Sequence, residues 1–138
     1  MATNNQFTIS VHIMTALAYR PDFTCTSAIL ATSVNANASF VRRILSQLSK
    51  AGLVHTSTGK SGACTLAKAA RDITLLDIYH AVEPPQAIAM HSYPEQEVCL
   101  VSCKIKGSLD GILTKAQLAL EDSLQKSSLA NVLAEIKK

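Results

Sequence analysis

Tryptophan is absent from this 138-residue chain, and only three phenylalanines and three tyrosines are present, so the interior must be built from Leu, Ile, Val and Ala. That scarcity argues against a β-sandwich, whose strands draw on aromatic and β-branched side chains. The recurring Ala, Leu, Lys, Gln and Ser are instead compatible with helices. No apolar run approaches the ~20 residues needed to cross a bilayer. The start, MATNNQFTIS, lacks a basic segment leading into an apolar block, so no secretory signal is expected. The expectation is a cytoplasmic protein with no membrane partner, whose cysteines (Cys25, Cys64, Cys99, Cys103) are thiols, metal ligands or redox sensors and not structural disulfides.

Catalytic signatures are missing too. There is no Gly-x-Ser-x-Gly, P-loop or dinucleotide fingerprint, and no recognisable Cys–His motif, so an enzyme is not expected. No Cys-x2-Cys pair occurs, and His12, His55, His80 and His91 are scattered, which leaves no zinc site to propose. Acidic residues are absent between Phe23 and Arg71. From Met1 to Leu66 five basic residues face the single acid Asp22, whereas from Ala67 onward eight basic residues meet nine acidic ones. A polyanion would therefore bind the amino-terminal half.

Apolar residues make up 48% of the chain, enough for a packed core. In FTISVHIMTALAYRPD, Ile9, Ile13 and Leu17 recur at helical spacing, and Pro21 follows as a stop. TCTSAILATSVNAN offers Thr26 or Ser27 as a helix cap, then a polar turn. In NANASFVRRILSQLSKAGL, Asn37 is a cap candidate and Val41, Ile44, Leu45 and Leu48 form one apolar stripe. Ser39, Arg42, Arg43, Ser46, Gln47 and Lys50 fall on the other face, and Gly52 suits the left-handed residue that ends such a helix. The period then changes: VHTS and ACTL read as short strands around TGKSG, a hairpin. ITLLDIYHAVEPP predicts a helix capped by Thr74 and closed by Pro84 and Pro85. A loop follows to Glu97, then a long stripe of Ile105, Leu109, Ile112, Leu113, Ala116, Leu120 and Leu124, and a short tail helix in SSLANVLAEIKK.

This order predicts a mainly α protein: a winged helix-turn-helix with a two-stranded wing and a long C-terminal dimerisation helix. A helix-turn-helix lays its second helix in the major groove. The small hydrogen-bonding residues Thr26, Ser27, Asn35, Asn37 and Ser39 suit phosphate or adenine there, and Arg42 and Arg43 suit guanine or phosphate. In the wing, Lys60 between Gly59 and Gly62 can approach the backbone or minor groove.

SVNANASFVRRILSQLSKAGLV, then TGKSGACTLAK, then DITLLDIYHAVE, continuing through CLVSCKIKGSLDGILTKAQLAL, resembles the Rrf2 family of bacterial transcription regulators over nearly the whole chain. The resemblance implies a winged-helix DNA-binding domain, a long helix pairing two subunits, and a palindromic operator. It also implies that Ser39, Phe40, Arg42 and Arg43 face the operator and that Thr58 to Ser61 (Lys60 among them) form the wing tip. Many members carry an arginine where this chain has Thr58, just before the wing's first glycine.

Several members hold an iron–sulfur cluster through three cysteines before the long helix; here HSYPEQEVCLVSCKIKG supplies only Cys99 and Cys103. His91 or a partner subunit would have to complete the set, so the expectation is no cofactor, with a cluster as the lesser alternative. A thiol-based response at Cys99 and Cys103, with Lys104 and Lys106 nearby, ranks ahead of it. Cys25, beside a helix start, is expected to favour thiolate, and Cys64 sits in the second wing strand. The expected divisions are residues 1–83 for DNA binding, 84–104 as a loop bearing the sensor cysteines, and 105–138 for dimerisation (Leu109, Ile112, Leu113, Ala116, Leu120) and a tail. The function expected is a homodimeric regulator, a repressor of its operator, responsive to redox or a small effector. The alternative is a protein-interaction module that kept the fold and lost DNA binding.

Overall fold

A computed structural model describes residues 5–22, 24–57, 62–82 and 86–138. It divides into two units, Met1–Pro84 with Leu124–Lys138, and Pro85–Ser123.

The first unit begins with helix α1 (Gln6–Tyr19), which buries Ile13, Met14 and Leu17. Strand β1 (Cys25–Thr26) leads into α2 (Ser27–Val34), where the Thr26 hydroxyl accepts the Ile29 N–H at 3.2 Å and so caps the helix. Asn35 ends α2 in the left-handed conformation (φ 63°), a backbone state that Asn tolerates better than most side chains. Two residues later the Asn37 Oδ1 accepts the Ser39 N–H at 2.8 Å and starts α3 (Ala38–Lys50). The stripe Val41, Ile44, Leu45 and Leu48 is buried as its spacing predicts, and Gly52 (φ 78°) supplies the left-handed exit.

Strands β2 (Val54–Thr56) and β3 (Ala63–Leu66) form the expected hairpin, but the sheet has three strands, in the order β1-β3-β2 and all antiparallel. The expected two-stranded hairpin is present, and β1 adds to the outer edge of β3, pairing Cys25 with Cys64 and Thr26 with Ala63. Edge pairing satisfies backbone groups that a bare hairpin would leave open. The wing tip residues Thr58, Lys60 and Ser61 lie outside the described residues, as do Pro84 and Pro85.

A short 3-10 turn (Ala70–Asp72) precedes α4 (Leu75–Ala81), whose start is a reciprocal capping box between Thr74 and Asp77. The tail helix α6 (Leu129–Ile136) opens on a second box, Ser128 with Asn131. It belongs with the first unit and not with the long helix, contrary to the expected division at 105–138. The cause is local: Leu75 N–H donates to Ser127 O (2.9 Å), Leu129 N–H donates to Ile73 O (2.8 Å), and the Leu129 side chain is fully buried in the core. Replacing Leu129 by alanine should cost about 2–5 kcal/mol of unfolding free energy, the range for a buried leucine that leaves a cavity. Urea titration followed by circular dichroism measures it.

The second unit is dominated by α5 (Leu100–Gln125), 26 residues long with none buried. The loop expected over 84–104 ends earlier, since Cys103 N–H already donates to Cys99 O at 3.0 Å. No proline or glycine interrupts Leu100–Lys106, so the helix extends back beyond Ile105.

Candidate nucleic-acid interface

The amphipathic pattern of α3 decides what it shows to solvent. With Val41, Ile44, Leu45 and Leu48 turned inward, Ser39, Arg42, Arg43, Ser46 and Lys50 are exposed together. Arg42 Nη2 donates to the Ser39 hydroxyl at 3.2 Å, one turn back. The Arg43 guanidinium carbon lies 5.3 Å from the centroid of the Phe40 ring, close enough for a cation–π contact that limits its rotamers. Three cations therefore share one helical face, and no acid occurs anywhere between Asp22 and Asp72.

Some expected site residues take up other work. Phe40 is half-buried and packed against the core, beneath Arg43, instead of standing on the exposed face. The side-chain oxygens of Thr26 and Asn37 are committed to helix caps, and Asn35 to the turn geometry. Ser27 is the first residue of α2. These residues build the helix-turn-helix, and only Ser39, Arg42 and Arg43 of the expected set present themselves on α3. Lys50 joins them at the far end of the same face; its place on the exposed side of the stripe was the signal available in the sequence.

Among the cysteines, Cys25 and Cys64 face one another across β1 and β3, and both are buried. Burial pushes both thiols up from the ordinary value, and for Cys64 the neighbouring Cys25 adds to the rise. The expected thiolate character of Cys25 is corrected accordingly: desolvation disfavours the charged form. Cys99 is exposed and Cys103 half-buried. Ser102 N–H points to Cys99 Sγ at 3.4 Å, while Cys103 Sγ donates to Gln96 O at 3.4 Å. Among the described residues no three His, Cys, Asp or Glu side chains gather as a metal site. The described donors of one chain, Cys99 and Cys103 without a third ligand beside them, do not by themselves fit a cluster.

Iodoacetamide applied to the native protein should modify Cys99 and Cys103 first, and reach Cys25 and Cys64 only on unfolding; mass spectrometry of timed samples reads this directly. The raised thiols also set a pH dependence. Their stabilising contribution is full below the ordinary thiol value near 9.0 and is lost as pH rises through their higher folded values. Cys64→Ala should lose stability less steeply than the wild type above that pH.

Of the expected dimerisation residues, all lie on α5: Leu109, Leu113 and Leu120 are half-buried, and Ile112 and Ala116 exposed. Among the described residues no helix is long and apolar enough to cross a membrane.

Residues 3–135 match the Rrf2 family model, whose description is iron-dependent transcriptional regulator. This chain belongs to the Rrf2 family. It is 35% identical over 131 residues to YwnA of Bacillus subtilis (strain 168), which is named among HTH-type transcriptional regulators; 94% of this chain and 96% of YwnA are covered. A crystal structure described as that of a DNA-binding protein matches with a TM-score of 0.75 and 32% identity, over 93% of this chain and 98% of that one. A transcriptional regulator from Lactobacillus plantarum matches with a TM-score of 0.80 and 26% identity, over 96% and 90% of the two chains. The family and these relatives are transcription regulators, and the fold is the winged helix-turn-helix of DNA-binding proteins.

Proposed function

We propose that this Rrf2 protein is a homodimeric repressor that binds a palindromic operator in the cytoplasm. Helix α3 enters the major groove with Ser39, Arg42 and Arg43 towards the bases, and the wing residues Thr58, Lys60 and Ser61 flank it. Lys50 takes a phosphate. The observation that carries the reading is the face of α3: three exposed cations on a helix that follows a capped turn, in a stretch of chain without an acid. The homodimer draws support from α5, a 26-residue helix carrying Leu109, Ile112, Leu113 and Leu120 with none of its residues buried. Such a helix gains little from propensity alone and is stabilised by covering its apolar face. In this reading residues 1–83 bind DNA, 84–104 carry the sensing thiols and the long helix pairs the subunits. The exposed Cys99 thiol, with Cys103 one turn on, is the redox-responsive group, or a small effector takes that role.

Fluorescence anisotropy with duplexes selected from a random pool tests the reading. Affinity should fall steeply between 50 and 200 mM salt, because each neutralised phosphate contributes a slope of about −0.9 in the logarithmic plot. A salt-independent interaction, or equal affinity for selected and scrambled duplexes, would favour an interaction module that has lost operator recognition.

A further inference from the structure

A cavity of about 580 Å³ lies between α1, β1, α2 and α6, all within the first unit. That volume is within the roughly 300–1,000 Å³ typical of small-molecule sites. We propose that it binds a small organic anion with an apolar body, and that this ligand is the effector of the regulator.

Helix α1 is apolar on more than one side, which is the starting point. Ile13, Met14 and Leu17 fill the core, while a second stripe, with Val11 and Ala16 in it, lines the cavity. A helix apolar around most of its girth is one that expects cover on two faces. Across the cavity stand Ile29 of α2 and Ile136 of α6, 41% and 57% exposed. These are large aliphatic side chains left open to the space they surround, and a hydrocarbon between them would remove apolar surface from water.

The polar groups at the rim determine the ligand's charge. Arg20, just past the end of α1, lines the cavity, and Lys137 Nζ lies 5.8 Å from the ring centroid of Tyr19, another lining residue. His12 Nε2 and Ser33 Oγ are hydrogen-bonded at 3.0 Å, tying α1 to α2 at the same rim. Among the described residues no Asp or Glu lines the cavity. A carboxylate head directed at Arg20, with its body against Ile29, complements both features; a cation or a neutral polar ligand complements neither.

None of the lining residues comes from α3, so the cavity is separate from the DNA face yet coupled to it. Its wall α2 connects to α3 through the rigid Asn35–Asn37 turn, in which Ala36 N–H donates to Ala31 O at 3.0 Å. A ligand that changes the spacing of α1 and α2 displaces α2, and with it α3. This coupling rests on the operator-binding reading above, whereas the binding itself does not.

Naphthalene-1-carboxylate and naphthalene-1-carboxamide match in shape and differ in the head group, an anionic acceptor against a neutral group with N–H donors, and are the probes. Calorimetric titration of the full-length protein without DNA should show the carboxylate binding about tenfold or more tighter than the amide, the size of one charge-assisted hydrogen bond. Arg20→Gln should erase that preference and Arg20→Lys retain most of it. Ser33→Phe, a change at an exposed position on the cavity wall, should abolish binding while circular dichroism stays unchanged. Equal affinity for both probes, indifference to Arg20→Gln and Ser33→Phe, or no binding to the intact dimer would overturn the site. The second measurement is operator affinity with and without saturating carboxylate. Linkage requires any change to be mirrored in the carboxylate's affinity for the DNA-bound protein. Carboxylate binding that leaves operator affinity untouched overturns the effector role. Carboxylate binding by a protein that binds no DNA would overturn the repressor reading and leave the cavity as assigned.

Discussion

Replacing Arg42 and Arg43 together by alanine should lower operator affinity by roughly two to four orders of magnitude, at about 1–3 kcal/mol for each contact to a base. Both side chains are exposed, and the buried stripe Val41, Ile44, Leu45 and Leu48 is untouched, so α3 itself should persist. Surface substitutions of this kind typically change stability by no more than about 0.5 kcal/mol. Loss of binding in a protein that unfolds at the wild-type urea concentration is therefore loss of contact and not loss of fold. The double lysine variant separates two roles of the pair. Lysine keeps the charge but lacks the planar fork that meets guanine O6 and N7 together. It should preserve the salt dependence while discriminating less between the selected and scrambled operators. Anisotropy across a salt series on both duplexes measures each quantity, and a double alanine variant that retained affinity within twofold would end the assignment of α3 as the reading helix.

The order of elements was readable because each large helix carries its own period. The stripe of α3, its Asn37 cap and its Gly52 exit were all local signals, and all three appear in the fold. What was not readable is long-range. Strand β1 is two residues long, too short for an alternation to show, and it exists because β3 offers an edge to pair with. The early start of α5 was hidden because its first turn, LVSC, carries no cap motif that marks a boundary. Within the site, Asn35, Asn37 and Thr26 were legible as small polar residues near helix starts, but residue type alone does not say whether an oxygen faces a phosphate or its own backbone. Geometry assigns Thr26 and Asn37 to the backbone. Phe40 shows the same limit from the apolar side, since its ring both packs on the core and underlies Arg43. The cavity depends on α6 returning to α1 across more than a hundred residues of sequence, which no local period encodes.

In the proposed homodimer, Ile112→Glu should convert dimer to monomer at micromolar concentration and reduce operator affinity by about 10²–10⁴-fold, the gain that linking two binding modules provides. Ile112 is 60% exposed at the middle of α5, so the substitution opens no buried cavity. Its cost falls on whatever covers that face. A carboxylate placed in an apolar helix pairing must be desolvated without a partner on each of two symmetry-related copies, which is expensive enough to abolish association. Sedimentation equilibrium reads the mass directly, and circular dichroism should show the first unit intact because its core draws no buried residue from α5. The salt dependence then tells apart two ways of losing affinity. A monomer that still docks α3 on one half-site should keep about half the wild-type slope, because it neutralises about half the phosphates. A variant that loses affinity at unchanged slope would still hold both half-sites, and the long helix would then not be what joins the two copies.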